Sequence, residues 1–482
     1  MITNKYLSLV VALACTAVVD RANAAPFTAG NLAIYRSDVI AGSDSPAAVF
    51  IDEYTPAGGL VQSLALPTAA SGTQRALISQ DDAELEGMLN RSTDGQYLLL
   101  SGYDHNILDP IPGSTTLAQS NAMDVPRSFG RIDAAGNIDT STSYNDSGTG
   151  SPRSVISQDG LSLYVSQGSV SSDTTPDGGI RLTTFGSAGA STLVSNMATT
   201  EMGDVISADT RGIGFFDDQL FVSSATTNLN GLLSVDTVEG KMTGLDAIPG
   251  GNSSANTVQF FLADLSQDEA GVDTAYVTDS RNQAGGGGLR KYSLFEGSWT
   301  ATGAIAGMQP AGEPAVSNLR GLTGVVNGST VTLYGTRTSG GGGQLLSFTD
   351  SSGYNGTLTG TADLLTTATG KFFRGVAFVP GTPSEGLVGD YNGDDEVNAA
   401  DFVMWREAVA TQTALANDPL GLPIDDRQYN QWRENFGDMA MGAGGRAALG
   451  VVSTIPEPAS CALLIIAGWM TSAASGRRDW RC

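Results

Sequence analysis

Cysteine and histidine are scarce in this chain of 482 residues. Its three cysteines, Cys15, Cys461 and Cys482, lie near the two ends, and His105 is its single histidine. Zinc sites built from several Cys or His ligands are therefore excluded from the central part of the chain. A Ser-His-Asp triad would have to use His105, and a single loop histidine is far more often solvated than catalytic. The sequence therefore assigns no catalytic residue.

Basic residues are also few. The chain has 25 Lys and Arg against 50 Asp and Glu, which gives a formal net charge of −25. Such a surface disfavours binding to nucleic acid and to anionic membranes, and it suits divalent cations. The chain has 61 glycines, and residues 25–380 show short β-rich runs with almost no helical periodicity. This composition is typical of a turn-rich extracellular β protein.

The first 24 residues have the pattern of a removable export signal. Lys5 supplies a positive start, residues 7–19 form an apolar segment, and residues 22–24 form a small-residue cleavage site. We expect cleavage after Ala24, so that the mature chain begins at Ala25.

The last 27 residues combine three elements in a fixed order. Pro456, Glu457 and Pro458 come first, an apolar run of 16 residues follows over 459–474, and three arginines lie between positions 477 and 481. This order resembles the PEP-CTERM sorting signal of bacterial surface and secreted proteins. The resemblance implies cleavage by an exosortase, transient membrane association, and a secreted or cell-surface location after export through the inner membrane. A permanent anchor is the alternative, although a spanning helix needs roughly 20 residues.

Removal of both ends would change the composition. Five basic and three acidic residues lie in 1–24 and 456–482, so 47 acidic and 20 basic residues would remain, a net charge of −27. No cysteine would remain either. The exported domain would then depend on core burial and bound metal rather than on disulfides.

Residues 25–380 repeat a short pattern. Each unit has an apolar strand, a tight turn rich in Asp, Asn and Gly, and an alternating strand, and a third strand opened by glycine often follows. Units recur about every 45–65 residues, which suits the four-stranded blade of a β-propeller. The clearest units are 86–101, 153–166, 211–223, 260–278 and 320–335.

The two ends of this region complete each other. Residues 374–380 have the pattern of a first strand without a second one, and residues 30–35 that of a second strand without a first. Pairing them would remove two open sheet edges. We therefore predict a mainly β fold, a six-bladed β-propeller closed by its N- and C-terminal strands. A seventh blade would fit within 105–150, and an open β-sandwich or β-solenoid is the alternative fold.

Four arginines, Arg153, Arg211, Arg320 and Arg374, each open a predicted innermost strand. Such strands line the central channel of a propeller. One interpretation is a partial arginine ring that binds an anionic glycan or another carboxylate. The other is structural, with each arginine paired to an Asp or a carbonyl of its neighbour, since a residue that recurs in a repeat usually serves the repeat.

Enzyme chemistry would have to use carboxylates. No spacing selects a pair of them, and Asp in loops is ordinarily turn chemistry. The candidates near strand ends or in loops are Asp104, Asp173, Asp177, Asp264 and Asp279.

A calcium loop follows the repeat region. Its oxygen-bearing residues fall at the first, third, fifth, ninth and twelfth places, and the seventh place would contribute its backbone carbonyl. The predicted ligands are Asp390, Asn392, Asp394, Glu396, Asn398 and Asp401. Asp395 stands at the sixth place, where glycine is usual, so we expect weakened binding of the single Ca²⁺. A helix over 402–409 is predicted after the loop.

The loop and helix are duplicated at a period of 27. Trp405-Arg406-Glu407 recurs as Trp432-Arg433-Glu434, while most ligands are missing from the second copy, so we predict one calcium ion. The arrangement resembles a type I dockerin with a degenerate second repeat, which implies a cohesin-like docking partner. Dockerins use polar residues at the tenth and eleventh loop places for cohesin, and here these are Ala399 and Ala400.

The sequence thus divides into six segments. These are a signal peptide at 1–24, a β-propeller at 25–380, a linker at 381–388, a dockerin-like calcium module at 389–437, a linker at 438–455 and a sorting tail at 456–482. The propeller resembles uncharacterised propeller domains attached to such tails, and this resemblance implies no activity. We expect a non-enzymatic surface or matrix protein that binds a ligand, a surface polysaccharide or a docking partner. The alternative is an extracellular hydrolase or lyase that acts on polysaccharide or phosphoester through carboxylates.

Overall fold

The structure is a computed structural model that describes most of residues 25–437. It leaves out 39–43, 82, 169–177, 196, 200–204, 208, 217, 227–228, 246–255, 267–270, 283–286, 307–315, 340–341, 382–387, 393–395, 414, 416 and 419–422. The expected export signal and sorting tail, with Ala24, Pro456, Glu457 and Pro458, lie outside the described residues. Within the described ranges, no helix is long and apolar enough to cross a membrane.

The described chain is mainly β, and two helices follow near its end. The strands are β1 (Leu32–Asp38), β2 (Pro46–Tyr54), β3 (Leu60–Ala65), β4 (Ile78–Gln80), β5 (Asn90–Arg91), β6 (Tyr97–Tyr103), β7 (Arg127–Asp133), β8 (Ile138–Tyr144), β9 (Pro152–Ile156), β10 (Ser162–Gln167), β11 (Gly179–Thr184), β12 (Ala188–Gly189), β13 (Thr192–Ser195), β14 (Met197–Thr199), β15 (Val205–Ser207), β16 (Thr210–Phe216), β17 (Gln219–Thr226), β18 (Leu229–Asp236), β19 (Lys241–Gly244), β20 (Thr257–Ala263), β21 (Thr274–Asp279), β22 (Gly288–Phe295), β23 (Ser298–Ala306), β24 (Leu319–Asn327), β25 (Thr330–Ser339), β26 (Gly342–Asp350), β27 (Asp363–Thr369) and β28 (Lys371–Phe378). The helices are α1 (Ala399–Thr411) and α2 (Asp426–Glu434).

Local turn chemistry produces the repeated hairpins. Gly95 and Gly160 have φ angles of 73° and 70°, which favour glycine. The carboxylates that precede them, Asp94 and Asp159, accept backbone N–H groups from the residues after the turn. These are the Asp-Gly turns that the sequence predicts between successive strands.

Sheets of consecutive antiparallel strands form a propeller arrangement. Four sheets of the described chain have four strands each, in the orders β9-β10-β11-β13, β16-β17-β18-β19, β20-β21-β22-β23 and β24-β25-β26-β27. The short strands β14 and β15 pair with each other. Contacts between first strands run in a closed cycle from β5 through β9, β16, β20, β24 and β28 back to β5. The predicted propeller arrangement is confirmed, and these strands surround its channel.

The first and last strands of the region pair, as predicted. β1 lies antiparallel to β28, from Leu32 opposite Phe378 to Asp38 opposite Lys371. Leu32 and Phe373 lie in one buried apolar cluster of this sheet. The pairing joins the two ends of the repeat region and places β1 between β28 and β2, while β28 is the terminal strand of the sheet.

The count of separate sheets differs from the predicted six blades. Two predicted units share one ten-stranded sheet, because β4 pairs with both β2 and β6 and so bridges them. Residues 105–150, where a seventh blade would have fitted, supply β7 and β8 of the same sheet. The three-residue bridge β4 carries no repeat signal, which explains why the sequence pattern does not indicate it.

Side-chain hydroxyls fasten each sheet to the next. A Ser or Thr on a second strand donates to a backbone carbonyl on the first strand of the following sheet. The pairs are Ser166 with Arg211, Ser223 with Val258 at 2.6 Å, Thr278 with Arg320 at 3.0 Å, and Thr336 with Arg374. These bonds fix the backbone that carries three of the four arginines singled out above.

A buried ion pair joins the sheet of β22 to that of β26. Lys291 is fully buried, and its Nζ lies 2.8 Å from the Asp350 carboxylate. Nζ also donates to Gly353 O at 2.6 Å and to Ser352 Oγ at 3.0 Å. The carboxylate accepts a further bond from the Tyr276 hydroxyl at 2.6 Å. All three donors of the ammonium group are therefore used.

The two helices are related by the 27-residue period. Each begins with a capping box, at Asn398 for α1 and at Asp425 for α2. Trp405 Nε1 donates to Asp425 O at 3.0 Å, and Trp432 Nε1 donates to Asn398 O at 2.7 Å. Each tryptophan thus bonds the cap residue of the other helix. α1 starts at Ala399 rather than at 402, because Asn398 supplies the cap.

Candidate functional site

The four arginines occupy equivalent places in the ring of first strands. Arg153, Arg211 and Arg320 are each the second residue of their strands β9, β16 and β24, and Arg374 is the fourth residue of β28. All four are buried, with 2–7% of their surface exposed. We call these four residues the arginine cluster. Their common position near the start of the first strands places them at one end of the channel.

One carboxylate serves two members of the cluster. Asp209 lies 2.7 Å from Arg153 Nη1 and 3.4 Å from Arg211 Nη2. Arg211 Nη1 also donates to Asn256 Oδ1 at 2.6 Å. Burial, together with the positive charge of Arg153, lowers the pKa of Arg211 to about 10. The two guanidinium groups are therefore only partly neutralised by the carboxylate between them.

The other two arginines bind a segment that begins within β4 and continues towards β5. Arg320 Nη2 pairs with the Glu84 carboxylate, and Arg374 Nη1 donates to Ser79 Oγ at 2.8 Å. Arg374 Nη2 donates to the carbonyl of Gln80. Burial, and to a smaller extent the charge of Arg374, lowers the pKa of Arg320. The segment therefore spans two neighbouring arginines of the ring.

Each member of the cluster has a donor without a partner. The Nε atoms of all four arginines are buried, and none of the described residues offers them a hydrogen-bond acceptor. A buried donor left unpaired costs about 1–3 kcal/mol. The arginines pair with neighbouring carboxylates and carbonyls, as the structural interpretation of the sequence predicts, and each leaves one buried donor unfilled. Anion binding at the cluster stays a prediction.

A small pocket lies between the two arginines that bind the β4–β5 segment. It combines two cations, two carboxylates, a hydroxyl and two aromatic rings. Its lining residues are Asp81, Glu84, Arg320, Thr338, Phe372, Phe373 and Arg374.

A second carboxyl group lies deeper beside Arg374. Glu86 is buried, with its carboxylate 3.7 Å from Arg374 Nη1, and it accepts a hydrogen bond from the Tyr103 hydroxyl at 2.6 Å. Burial raises the pKa of Glu86, and the opposing effects of Arg374 and Tyr103 are smaller. Glu86 is absent from the candidates drawn from the sequence, where it marks only the start of a strand unit. Its burial depends on strands far away in the chain.

Amide side chains occupy the channel next to the cluster. Asn90 Nδ2 donates to Val155 O at 2.9 Å and to Ile213 O at 3.2 Å, and Gln259 Nε2 donates to Asn90 Oδ1 at 3.1 Å. Val155 and Ile213 lie two residues after Arg153 and Arg211 on their strands. These amides bridge the first strands just beyond the arginines, so the cluster lies above a filled part of the channel.

The remaining candidates from the sequence lie in separate local networks. His105 is half-buried, with Nε2 3.0 Å from Asp109 O. Asp104 lies 3.6 Å from Arg75, and Asp279 pairs with Arg281 at 2.5 Å. Asp264 follows β20, while Asp173 and Asp177 lie outside the described residues. The described contacts bring none of these carboxylates to the arginine cluster.

The predicted calcium ligands lie at the start of the helical module. Asp390 and Asp401 are fully buried in the same loop. The Asp401 carboxylate accepts backbone N–H groups from Tyr391, Asn392 and Asn398, at 2.8–3.0 Å. Carboxylate and carbonyl oxygens in a short loop suit a hard cation such as Ca²⁺.

The calcium site itself stays a prediction. Its ligand Asp394 lies outside the described residues. The described residues include no group of three or more His, Cys, Asp or Glu side chains placed to hold a metal ion.

The second copy of the loop is bonded differently. Gln428, which lies 27 residues after Asp401, donates from Nε2 to the Asp418 carboxylate at 3.1 Å and to Pro423 O at 3.4 Å. Pro423 corresponds to Glu396, the seventh place of the first loop. In the second loop, the side-chain amide of Gln428 therefore bonds the backbone carbonyl of Pro423. The equivalent carbonyl in the first loop, that of Glu396, is a predicted calcium ligand.

No family model matches this chain, and no curated protein matches it. Similar solved structures include hydrazine synthase from Kuenenia stuttgartiensis, at 13% identity and a TM-score of 0.31, covering 55% of this chain and 63% of that one. The Dos1 propeller is 11% identical with a TM-score of 0.30, covering 63% of this chain and 65% of that one. An oligogalacturonate lyase in complex with manganese is 9% identical with a TM-score of 0.35, covering 64% of this chain and 91% of that one. This chain thus spans less than two thirds of the first two, and similarity at this level assigns no activity.

Proposed function

We propose that the propeller is a non-enzymatic binding module that takes an anionic ligand at the arginine cluster. The observation that carries this proposal is the set of four buried Nε donors without partners at one end of the channel. Four guanidinium groups at this end repel one another, and a bound anion would relieve that repulsion and fill the donors. The cluster is a local positive site in a chain with a net charge of −25, which favours anions there over the rest of the surface.

The proposal includes a ring of six blades. The ten-stranded sheet then counts as two blades, β28-β1-β2-β3 and β5-β6-β7-β8, joined by β4. The closed cycle of six first strands supports this count. In this count, arginines lie near the start of four of the six first strands. Val258 lies at the equivalent position of a fifth, where its carbonyl accepts a hydrogen bond from the Ser223 hydroxyl.

The proposed location is the cell surface or the extracellular matrix. It rests on the predicted export signal and the predicted sorting tail, which would be processed by a signal peptidase and an exosortase. The ligand would then be an extracellular anion, and an acidic surface polysaccharide satisfies both the location and the charge.

The helical module would bind one Ca²⁺ and dock a partner. The ion would be held by Asp390, Asn392, Asp394, Glu396, Asn398 and Asp401, and when bound it would cross-link these oxygens and stiffen the module. In the second loop the Gln428 amide would stand in place of an ion. A cohesin-like partner would meet an exposed start of α1, where Ala399 and Ala400 supply no polar contact.

The alternative function is hydrolysis or elimination on a polysaccharide or phosphoester. It is favoured by the three acidic residues Asp81, Glu84 and Glu86, which lie in one segment beside Arg320 and Arg374. Assay of the full chain against glycan and phosphoester panels tests it. Turnover that is lost in Asp81→Asn and Glu86→Gln would replace the non-enzymatic proposal.

Thermal unfolding of the full chain tests the binding proposal. D-Glucuronate, citrate, phosphate and sulfate are added in turn to wild type and to the Arg211→Gln/Arg320→Gln variant. A bound anion at 100 times its Kd stabilises the wild type by about 2.7 kcal/mol. Stabilisation of the wild type alone supports the proposal. Equal stabilisation of both proteins, or of neither, would refute it.

A further inference from the structure

The ion pair between Arg320 and Glu84 joins a buried cation to an exposed carboxylate. The Arg320 side chain is 7% exposed, whereas that of Glu84 is 47% exposed. The two residues are 236 positions apart in the chain. The carboxylate therefore reaches the arginine from a neighbouring part of the ring, with much of its own side chain in solvent.

Glu84 fills only part of the arginine's binding edge. A guanidinium group binds a carboxylate most strongly through two parallel N–H bonds, for example from Nε and Nη2. Glu84 bonds Nη2, and Nη1 donates to Asn318 O at 3.3 Å, while Nε has no partner among the described residues. A free carboxylate that took both Nε and Nη2 would bind more strongly than Glu84 does.

Displacement of Glu84 would cost little. Ion pairs between solvent-exposed residues contribute about 0–1 kcal/mol, and Glu84 is the exposed partner here. The incoming carboxylate would replace Glu84 beside the buried Arg320, so the arginine would keep a charged partner. A released Glu84 side chain would regain solvation and rotamer freedom. Displacement of Asp209 would cost more, because this carboxylate pairs with two arginines at once. Without it, the charges of Arg153 and Arg211 would repel each other.

The surroundings of this edge indicate the rest of the ligand. Phe372 and Phe373 form an apolar wall of the same pocket, and Thr338 and Asp81 add polar groups. Phe373 is fixed by an edge contact with Tyr54, at 5.7 Å between ring centroids. With Glu84 in place this pocket has room for about one water molecule, so a larger ligand would enter only as Glu84 moves out. The guanidinium, the hydroxyl and the aromatic wall then match the carboxylate, the hydroxyls and the apolar ring face of an acidic sugar.

We infer that Glu84 is a built-in carboxylate competitor, and that the ligand is an acidic sugar whose carboxylate displaces Glu84 from Arg320. This inference rests on the proposed function and narrows it to one pair of arginines and one ligand class. It also explains why the ion pair joins a buried residue, Arg320, to an exposed one, Glu84. The pocket is occupied in part by the protein's own carboxylate until a sugar carboxylate replaces it.

Calorimetric titration of the full chain tests the inference. D-Glucuronate and D-glucose are the probes, because they differ only in a carboxylate in place of a hydroxymethyl group. The buffer contains about 150 mM NaCl and no phosphate or sulfate. We expect glucuronate to bind the wild type and glucose to give no binding heat.

Three variants separate the effects of Glu84, of a distant surface charge and of Arg320 on the affinity for glucuronate. Glu84→Gln should tighten glucuronate binding about fivefold, because it removes a competitor worth at most about one exposed ion pair. Glu239→Gln makes the same charge change in an exposed turn and should leave the affinity unchanged, since distant surface charges are screened. Arg320→Gln should weaken binding at least tenfold, with circular dichroism confirming that it folds.

The outcomes distinguish this inference from the broader proposal. Unchanged or weaker binding by Glu84→Gln would overturn the role of Glu84. Glucuronate binding could instead be lost in Arg153→Gln/Arg211→Gln and be unaffected by Glu84→Gln and Arg320→Gln. This result would support anion binding by the cluster but place the site at Arg153 and Arg211, and it would overturn the inference about Glu84. Absence of binding of glucuronate, phosphate and sulfate to both wild type and Glu84→Gln would refute both.

Discussion

The buried lysine and the buried arginines of this propeller are bonded in different ways. Lys291 uses all three donors on protein acceptors, and its partner Asp350 accepts further bonds from neighbours. The arginine cluster places four cations close together and leaves four Nε donors unfilled. A completely bonded charge stabilises the fold, whereas an incompletely bonded one has free energy to gain from a ligand.

The two loops of the helical module also differ, in the type of side chain at the predicted ligand positions. In its second loop, the Gln428 amide bonds the acceptors Asp418 and Pro423. In its first loop, two buried carboxylates, Asp390 and Asp401, lie in a loop with the spacing of calcium ligands. The second loop, which lacks most of the predicted ligands, is expected to be independent of metal, whereas the first loop is expected to bind it.

The largest effect is expected at Lys291. Lys291→Met would leave the Asp350 carboxylate buried without its cation, so the free energy of unfolding should fall by about 3–5 kcal/mol. Urea denaturation followed by circular dichroism measures this fall. Lys291→Met/Asp350→Asn should recover part of it because no lone charge remains. A single variant that loses under about 1 kcal/mol would contradict the structural role of this pair.

Calcium should stabilise only the first loop. At 100 times its Kd, Ca²⁺ should raise the stability of the helical module by about 2.7 kcal/mol, with one ion bound per chain by calorimetry. Asp390→Asn should abolish this binding, whereas Asp418→Asn, in the second loop, should leave the stoichiometry at one. Two ions in the wild type, or binding that survives Asp390→Asn, would contradict the difference between the loops.

Loss of one channel arginine should act on binding rather than on stability. Arg320→Gln removes one charge-assisted contact to an anion, worth about 1.5–3 kcal/mol, and therefore weakens glucuronate binding by about 10- to 100-fold. Its free energy of unfolding should change little, because the loss of the exposed Glu84 pair is offset by weaker repulsion within the cluster. A large fall in stability with no change in affinity would place Arg320 in the same class as Lys291.

The pH dependence of stability should have opposite signs at two carboxylates. Burial raises the pKa of Glu86, so its contribution to stability is present below about pH 4.3 and is lost as the pH rises through the raised pKa. Burial also acts to raise the pKa of Asp350, but hydrogen bonds led by that from Lys291 outweigh it and lower the pKa. The contribution of Asp350 is present above about pH 3.9 and is lost as the pH falls.

Glu86→Gln isolates the effect of Glu86. Relative to wild type, this variant should be more stable at pH 8 than at pH 4. Urea denaturation at the two pH values measures the difference, and Glu239→Gln provides an exposed control. A difference of the reverse sign would show that Arg374 fully compensates the charge of Glu86.

The sequence predicts the strands and arginines of the site better than the carboxylates that contact those arginines. The repeated strand units, the closure of β1 on β28 and the position of Arg211 at the start of its strand follow from local patterns. Glu84 and Glu86 do not, because they meet Arg320 and Arg374 only after the ring closes, across more than 230 residues. Pairing across such distances depends on three-dimensional packing and leaves no periodic signal.

The most direct test is the affinity of D-glucuronate for the wild type and for Arg320→Gln/Arg374→Gln, with D-glucose as the neutral probe. We expect that glucuronate binds the wild type, that glucose does not, and that the double variant folds but loses glucuronate binding. Equal binding of the two sugars, or glucuronate binding unchanged in the double variant, would contradict this expectation.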